Sequence, residues 1–388
     1  MQYRTNKKGE ELSILGLGCM RFPSRAGLVD YKKTKKMIDY AIENGINYFD
    51  TAYVYHAGQS ESIVGRALKE HREKVNIATK LPPYLVKKPE DIERIFTTQL
   101  ARLQTHYIDY YLMHALKDLS NWEKLVQNGI LKFIKDRKNS GAIRNIGFSF
   151  HGTQEEFIKI IDAYDWDFCQ IQYNYLDEGT QAGTFGLEYA NKKGIPVMIM
   201  EPLLGGRLAR KQTPDIEELF ERAREKRSNA EWGLRWVWDH PEATVVLSGM
   251  SSMEQLSENI NIADAKANSF SSDEKEMFEK IIAINKAKHK IPCTGCHYCM
   301  PCPQNVDIPG NFYDMNNLDI DGFSGKFKHI GFKSGVMGGI ATGANKCVKC
   351  GKCVPHCPQN IDIPAELETV KKKLEGPLYR VVSKFARK

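Results

Sequence analysis

The sequence predicts an α/β chain, with a closed (β/α)8 TIM barrel in residues 1–285 and a small second domain in residues 286–388. Eight short apolar runs alternate with longer helix-like segments through the first part. The runs are apolar at consecutive positions, as in parallel strands that helices cover on both faces. The composition then changes, and eight of the ten cysteines follow in two groups.

The predicted strands are ILGLGCM, INYFDTA, VNIATKL, YIDYYLMHA, IRNIGFSF, DFCQIQYNY, IPVMIMEPL and ATVVLSGM. Amphipathic segments such as YKKTKKMIDYAIENG, KPEDIERIFTTQLARL and TQEEFIKIIDAY lie between them. Gly45 follows the first of these where a helix cap is expected. Eight such units favour a closed barrel over an open doubly wound sheet, and GxGxxG is absent after the first strand. The segment SSDEKEMFEKIIAINKAKHK is the predicted last helix of the barrel.

The composition is that of a globular protein. Hydrophobic residues make up 42% of the chain, enough for a large buried core. No stretch of about 18 apolar residues is present, which argues against a membrane-spanning helix. The polar start, MQYRTNKKGEEL, lacks the apolar core of a signal peptide, so we expect a cytoplasmic protein with no membrane partner.

The formal charge of +7 is concentrated in the second domain. Residues 286–388 contain 16 Lys and Arg against 8 Asp and Glu, a net of +8, which leaves −1 for the rest. Nucleic acid is one partner for such a surface. Lysines that offset the negative charge of thiolate clusters explain the same excess, so we predict no nucleic-acid partner.

Polar side chains stand at the ends of several predicted strands, where the active sites of barrel enzymes lie. Asp50 ends the second strand, and Tyr55 is in the following loop. Lys80 ends the third strand and His114 ends the fourth. A lone strand-end Asp or Lys is most often part of a structural ion pair, but four such groups at one rim indicate a catalytic site.

These four groups have the chemistry needed to reduce a carbonyl. A buried Asp beside a buried Lys offsets the cost of removing both charges from water. A lysine ammonium lowers the pKa of a nearby phenol, so Tyr55 is the predicted proton donor. His114 is placed to orient a carbonyl oxygen between itself and Tyr55.

The first part of the chain resembles the aldo-keto reductases. The resemblance rests on YFDTAYVYHAGQSESIVGRAL, IATKLP, YIDYYLMHA, GFSF, QIQYNYLDE and EPLLGG, in the order of the family, and covers residues 10 to 285. The family's Asp, Tyr, Lys and His tetrad maps onto Asp50, Tyr55, Lys80 and His114. The resemblance implies an enzyme that reduces a small aldehyde or ketone with NAD(P)H.

The same resemblance implies a set of nucleotide-binding residues. Ser149, at the end of the fifth strand, and Gln170 should hold the nicotinamide carboxamide, and Met200 takes the place of the aromatic residue that commonly stacks on that ring. The segment from Glu201 to Gly206 should wrap the pyrophosphate. Its named contacts are Pro202, Leu203, Gly205 and Gly206. The expected adenosine contacts are Ser252, Glu258 and Asn259.

Three positions depart from the family pattern. The asparagine that follows the strand-five serine is Phe150 here. Gly249 and Gln255 stand where many members have a Lys and an Arg that grip the 2′-phosphate of NADPH. Because neither residue is cationic, we expect nucleotide preference to be weak or tilted towards NADH.

The second cysteine group has the spacing C-x2-C-x2-C-x3-C-P, and it comprises Cys347, Cys350, Cys353 and Cys357. This is the run of bacterial ferredoxins, in which three thiolates bind one [4Fe–4S] cluster and the fourth binds a neighbouring cluster. The first group has only two residues in its last gap, and it comprises Cys293, Cys296, Cys299 and Cys302. Zinc and a CxxC redox pair are the alternatives. Cys19 and Cys169 lie in apolar strands and are expected to be buried.

Both groups end in CPQN, followed by Val or Ile, DIP and a predicted helix, so the tail is an internal duplication. We expect two clusters with crossed ligation, in which Cys357 joins Cys293, Cys296 and Cys299, and Cys302 joins Cys347, Cys350 and Cys353. The Gly-rich stretch GFKSGVMGGIATGAN between the groups is a predicted loop.

The whole layout resembles a branch of the aldo-keto reductases with a C-terminal, mainly helical, ferredoxin-like domain that carries two [4Fe–4S] clusters. Three hypotheses stay open. The clusters are structural or redox-regulatory parts of an NAD(P)H-dependent carbonyl reductase. Alternatively, they link the barrel site to a one-electron carrier protein. In the third, the chain is a redox-sensing regulatory protein with a vestigial barrel, which the intact tetrad disfavours.

Overall fold

A computed structural model describes residues 1–25, 27–264, 270–288, 291–336 and 340–385. The chain divides into two compact units. The first comprises Met1–Leu203 and Ser228–Ser271, and the second comprises Leu204–Arg227 and Ser272–Lys388. Two segments that the sequence analysis assigned to the barrel domain thus group with the second unit, while the domain boundary at residue 285 stays a prediction.

The first unit contains a closed barrel of parallel strands, as predicted. Strands adjacent in sequence are adjacent in the barrel, and the last strand pairs with the first. The strands are β1 Leu15–Gly18, β2 Tyr48–Asp50, β3 Asn76–Leu81, β4 Ile108–Leu116, β5 Ile143–Phe150, β6 Phe168–Gln172, β7 Val197–Met200 and β8 Ala243–Ser248. Each coincides with one of the apolar runs of the sequence.

Helices follow the strands and continue into the tail. They are α1 Tyr31–Glu43, α2 Ser60–Leu68, α3 Pro89–Leu103, α4 Leu119–Gln127, α5 Ile130–Asn139, α6 Gln154–Asp162, α7 Gly183–Lys192, α8 Pro214–Arg222, α9 Asn229–Trp238, α10 Met253–Asp264, α11 Ser272–Lys288, α12 Ile308–Asn316, α13 Leu318–Lys333, α14 Ile363–Leu374 and α15 Pro377–Phe385. In α1, the Asp30 carboxylate accepts a hydrogen bond from Lys33 N, and Gly45 follows the helix with φ +88°. The predicted last barrel helix, residues 271–290, corresponds to α11. Residues 289 and 290 of the predicted segment lie outside the described part of the chain.

A short antiparallel hairpin precedes the barrel, formed by Tyr3–Thr5 and Glu11–Ser13. The sequence analysis does not predict it, because its two strands are short and largely polar. Leu12 of this hairpin is fully buried and packs in a cluster with side chains of the barrel strands. That cluster also contains Tyr48, Ala78, Tyr110, Leu112, Phe168, Met198, Val245 and Leu247.

The internal duplication of the tail is visible in its backbone. Asn305 and Asn360, each three residues after the last cysteine of its group, have φ angles of +57° and +52°. Asp307 and Asp362 then cap α12 and α14, each accepting a hydrogen bond from the backbone N–H three residues later. The two halves therefore repeat the same turn, cap and helix start, as the predicted duplication requires.

The Gly-rich stretch between the halves is only partly a loop. Residues 331–333 end α13, a helix that the sequence analysis does not predict because its glycines disfavour helix formation. Residues 337–339 lie outside the described part. Ala344 near its end is buried in the tail's apolar core. That core also contains Ile291, Val306, Ile308, Phe312, Met315, Cys357, Ile361, Ile363, Leu367, Val370 and Leu374.

Candidate functional site

The predicted catalytic residues stand at the carboxyl ends of neighbouring barrel strands. Asp50 is the last residue of β2, Lys80 lies one residue before the end of β3, and His114 is near the end of β4. Ser149 and Gln170, near the ends of β5 and β6, are register partners. Because parallel strands of a closed barrel end at the same rim, the sequence places these side chains at one face.

Lys80 is the centre of the cluster. Its ammonium donates a hydrogen bond to Asp50 Oδ1 at 2.6 Å and another to the Thr51 carbonyl at 2.8 Å. Its third neighbour is the Tyr55 hydroxyl at 3.5 Å. The side chain of Lys80 is 1% exposed and that of Asp50 is 4% exposed. The buried charge is therefore paired with a carboxylate and directed at the phenol, as the tetrad prediction requires.

His114 completes the cluster. Its ring lies edge-on to the Tyr55 ring, with centroids 6.1 Å apart and planes at 77°. Burial, reinforced by Lys80 and His151, lowers the pKa of His114 well below its ordinary value of 6.5. Burial raises the pKa of Asp50, and the opposing effects of Lys80 and Gln170 only partly offset it. The imidazole is thus neutral near pH 7 and can act as a hydrogen-bond partner rather than as a cation.

The turn that carries Tyr55 has an unusual backbone. His56, Ala57 and Gly58 have φ angles of +51°, +53° and +87°, in the left-handed region. For the two non-glycine residues this conformation is strained. His56 Nε2 accepts a hydrogen bond from Phe22 N at 3.2 Å, and the two rings stack with centroids 5.9 Å apart. Such local strain is common at functional sites, where the surrounding contacts hold the chain in place.

A buried carboxylate below this turn was not identified from the sequence. Glu61 of α2 is fully buried and accepts hydrogen bonds from Thr79 at 2.7 Å and Gln99 at 2.9 Å. Arg102 bridges Glu61, at 3.1 Å, to the Tyr53 carbonyl, at 3.2 Å. Glu61 thus links β3 to the loop between β2 and α2. Its position on the inward face of an amphipathic helix is the signal that could have revealed it.

A second polar network lies beyond β5 and β6 and was also missed. His151 is buried, and its Nδ1 is 3.1 Å from Gln181 Oε1. Burial, with Lys117 adding to it and Gln181 opposing it, lowers the pKa of His151 to about 4. Asp177 accepts hydrogen bonds from Gln172 at 2.6 Å and Asn174 at 2.9 Å. His151 and Gln181 are 30 residues apart, so no local pattern indicates their contact, whereas the partners of Asp177 lie within five residues of it in the sequence.

The predicted nucleotide-binding residues fall in both units. Ser149 is buried and accepts a hydrogen bond from Ala115 N at 2.7 Å. Met200 ends β7, and Pro202 and Leu203 follow it in the first unit. Gly205 and Gly206 belong to the second unit, with φ angles of +65° and +88°.

The loop after β8 differs from the expectation in one respect. Gly249 lies against Arg21, since a Cβ atom built on this glycine would be 3.0 Å from Arg21 Cδ. An arginine from another loop therefore lies where the local sequence offers no cation. Gln255 Oε1 accepts hydrogen bonds from Ser251, and the Ser252 hydroxyl accepts one from Gln255 N.

The two remaining adenosine candidates lie at different depths. Asn259 is buried and donates a hydrogen bond to the Ser248 hydroxyl at 2.9 Å, at the end of β8. Glu258 is exposed on α10. Although the two residues are adjacent in the sequence, only Asn259 is buried near the end of β8.

In the tail, the first three cysteines share a cavity with the last cysteine of the second group. Cys293, Cys296, Cys299 and Cys357 line it, together with apolar side chains such as Phe312. Burial raises the pKa of Cys299 to about 12, and the thiols of Cys296, Cys293 and Cys357 add to the effect. Cys302 of the same group is not among the lining residues.

The other four cysteines are neighbours too. Burial raises the pKa of Cys353, and the thiols of Cys347, Cys302 and Cys350 raise it further. The two fourth cysteines are thus exchanged between the halves of the tail. None of the eight forms a disulfide bond in the described part of the chain. Cys19 and Cys169 are fully buried, as predicted.

Two features are absent from the part of the chain that the structure describes. No group of three or more His, Cys, Asp or Glu side chains there is arranged to hold a single metal ion. No helix there is long and apolar enough to cross a membrane.

Comparison with known proteins agrees with this organisation. The model of the aldo/keto reductase family matches residues 14–283, and the model of the 4Fe-4S dicluster domain matches residues 292–361. The chain belongs to the aldo/keto reductase family. It carries a 4Fe-4S dicluster domain after the barrel, as the resemblance predicted.

Several relatives have similar sequences over the barrel. The uncharacterized oxidoreductase YqkF of Bacillus subtilis is 26% identical over 287 residues, which cover 66% of this chain and 89% of the relative. The NADH-specific methylglyoxal reductase of Escherichia coli is 27% identical over 307 residues, covering 66% of this chain and 93% of the relative.

Solved structures show the same fold. The holo form of the aldo-keto reductase AKR11C1 from Bacillus halodurans has a TM-score of 0.61 and 25% identity, covering 72% of this chain and 96% of its own. An aldo-keto reductase from Klebsiella pneumoniae, solved in complex with NADPH, has a TM-score of 0.59 and 22% identity. The match covers 73% of this chain and 96% of that reductase.

Proposed function

We propose that this protein reduces a small aldehyde or ketone with NAD(P)H at the barrel rim and holds two [4Fe–4S] clusters in its tail. The observation that carries the proposal is the buried Lys80, which is paired with Asp50 and directed at the Tyr55 hydroxyl. A buried ammonium directed at a phenol supports a site that transfers a proton to an oxygen atom.

When bound, NAD(P)H supplies the hydride, and the residues of the tetrad hold and donate the proton. Tyr55 donates its hydroxyl proton to the carbonyl oxygen as negative charge develops there. Lys80 stabilises the phenolate that remains, and Asp50 keeps the ammonium charged and in place. Neutral His114 donates a hydrogen bond to the same oxygen and so orients the carbonyl.

The residues at the rim fit a nicotinamide nucleotide. Ser149 and Gln170 offer side-chain hydrogen-bonding groups at adjoining strand ends, suited to a carboxamide, and Met200 offers an apolar surface to the ring. We place the pyrophosphate at Pro202, Leu203, Gly205 and Gly206, and the adenosine at Ser252, Glu258 and Asn259. Gly249 and Gln255 are uncharged, and Arg21 is a cation that packs on Gly249, so we expect preference between the two nucleotides to be weak or tilted towards NADH.

The donor sets in the tail fit two clusters with crossed ligation. Four thiols line one cavity, and the other four are mutual neighbours. One set is Cys293, Cys296, Cys299 and Cys357, and the other is Cys347, Cys350, Cys353 and Cys302. Bound there, such clusters accept and donate single electrons.

A second candidate function is an electron-transfer enzyme in which the clusters feed or drain the barrel site. The exposure of one thiol of the outer set favours it, because Cys350 is open to a partner whereas Cys357 of the other set is buried. A redox-sensing protein without turnover is the third, and the intact tetrad argues against it.

Anaerobic purification tests the proposal. We expect about eight irons per chain, with matching sulfide, and oxidation of NADH or NADPH when carbonyl compounds are supplied. Methylglyoxal is the first substrate to try, since an E. coli relative is named for it. Turnover that survives aerobic removal of the iron supports the first candidate function, and turnover lost with the iron supports the second. Intact clusters with no turnover on any carbonyl compound would support the third candidate function, a redox-sensing protein.

A further inference from the structure

The two cysteine loops of the tail differ in charge although they repeat the same sequence plan. Residues 291–306 contain no Lys, Arg, Asp or Glu. Residues 344–361 contain three lysines, Lys346, Lys349 and Lys352, and no acidic residue. Where the second loop has Lys349 and Lys352, the first has Gly295 and Tyr298. The positive charge is therefore a property of one loop and not of cluster binding in general.

The loops also differ in exposure. Cys350, Lys349 and Lys352 are exposed to solvent, and Val348 is 61% exposed. Val354, on the other side of the group, is also exposed. In the first loop Cys296 and Cys299 are only partly exposed, and they line a cavity with mainly apolar walls. One thiol of the second set, Cys350, thus reaches the surface, on a loop that also exposes two valines and two lysines.

An apolar centre with a charged border is the usual composition of a transient protein interface. The lysines keep most of their charge available. Lys349 approaches Glu368 only to 3.7 Å, and Lys352 forms no ion pair within the described part of the chain. A surface with this charge attracts a partner of opposite sign and accelerates its arrival.

We propose that the loop from Lys346 to Val354 is the docking surface for an acidic one-electron carrier protein, which exchanges electrons with the outer set of thiols and the group they hold. The inference rests on the proposed function, because it requires a cluster bound by Cys347, Cys350, Cys353 and Cys302. In one step, the reduced carrier loses one electron and the cluster site gains one. No bond is formed or broken.

Two charge-reversal variants test the surface. Lys349→Glu with Lys352→Glu changes the docking loop. Lys32→Glu with Lys33→Glu makes the same change of charge on exposed positions of α1 in the barrel unit. The probe is a plant-type [2Fe–2S] ferredoxin, which is small and acidic. Stopped-flow mixing measures electron exchange in both directions, and titration calorimetry measures binding of the oxidised proteins.

At low ionic strength we expect the docking-loop variant to bind the ferredoxin at least about tenfold more weakly and to exchange electrons at least about tenfold more slowly. The difference should shrink as salt screens the charges. The α1 variant should stay within about twofold of the unchanged protein. Lys349→Gln with Lys352→Gln should give an intermediate effect, because it removes attraction without adding repulsion.

Reduction by dithionite separates the possible failures. Iron content and dithionite bleaching should be the same in all variants, since the small reductant needs no docking surface. Equal ferredoxin rates in the docking-loop variant and the unchanged protein, or equal slowing in the α1 variant, would overturn the docking surface alone. A protein that binds no iron would overturn the proposed function and this inference with it.

Discussion

Lys80 donates a 2.6 Å hydrogen bond to Asp50, and water reaches almost none of either side chain. A buried ion pair adds little net stability, but removal of one partner leaves the other charge buried and unpaired. We therefore expect Asp50→Asn or Lys80→Met to lower the free energy of unfolding by about 3–5 kcal/mol. The double variant should lose less than the sum of the two.

Tryptophan fluorescence during urea unfolding measures the free energy of unfolding of the barrel unit. All five tryptophans lie in that unit, between residues 122 and 238. Losses that simply add would mean that the two residues do not act as a pair. The comparison is the exposed pair of Lys132 and Asp136 on α5, where Asp136→Asn or Lys132→Met should change stability by less than about 1 kcal/mol.

Tyr55→Phe should lower kcat for carbonyl reduction by about 10² or more, because it removes the hydroxyl that donates the proton. The variant should still bind NAD(P)H and unfold at the same urea concentration as the unchanged protein. Steady-state kinetics and nucleotide titration check this. Nearly full reduction by the variant would remove Tyr55 from the proposed role.

His151 makes the stability of the barrel unit depend on pH. Its pKa is about 4 in the folded chain and about 6.5 when unfolded, so the unfolded state takes up a proton first as pH falls. The stability is present above pH 6.5 and is lost as pH falls towards 4. Between pH 7.5 and 5.0, the unchanged protein should lose about 2 kcal/mol more than His151→Gln. Equal losses in urea unfolding would show that His151 has no such effect.

Arg21 is expected to affect NADPH more than NADH. Its side chain packs on Gly249, in the loop where a cation for the 2′-phosphate is otherwise missing. Arg21→Gln should weaken NADPH binding by about 1.5–3 kcal/mol, the value of a charge-assisted contact, and NADH binding by much less. Fluorescence titration of both nucleotides measures this. In the unchanged protein the two affinities should be similar, and a hundredfold tighter NADPH would contradict the predicted preference.

Crossed ligation predicts which cluster each fourth cysteine supports. Cys302→Ser should damage the cluster of Cys347, Cys350 and Cys353, whereas Cys357→Ser should damage the cluster of the first group. EPR of the reduced protein and iron analysis distinguish the two. Loss of the cluster that belongs to the same group would indicate local ligation, and four irons, or zinc, in the unchanged protein would contradict two clusters.

The sequence was sufficient for the parts of this molecule that local pattern determines. Alternating apolar runs and amphipathic segments predict the barrel, and a strand end is enough to place Asp50 or Lys80 at its rim. Cysteine spacing predicts the tail in the same way. The crossed ligation by Cys302 and Cys357 was predicted from the duplication and stays a prediction; in the structure each of them lies near thiols of the other group.

Features made by distant contacts could not be predicted. Arg21 reaches Gly249 only because β1 and β8 pair when the barrel closes. The helix pattern places Glu61 on the inward face of α2, but its partners Gln99 and Arg102 come from α3 and are not indicated by that pattern. Likewise, nothing in the composition of residues 204–227 separates them from the barrel, yet they group with the tail. These relationships depend on closure and packing rather than on local propensity.

The exchange of the fourth cysteines also sets an order of events during synthesis. Cys299 leaves the ribosome well before Cys357, and at ordinary elongation rates the interval is on the order of 3–10 s. Throughout that interval the nascent chain offers the first cavity only three of the four thiols that line it. The full set of lining thiols exists only once Cys357 has been made, so a chain that terminates before this residue can never complete it.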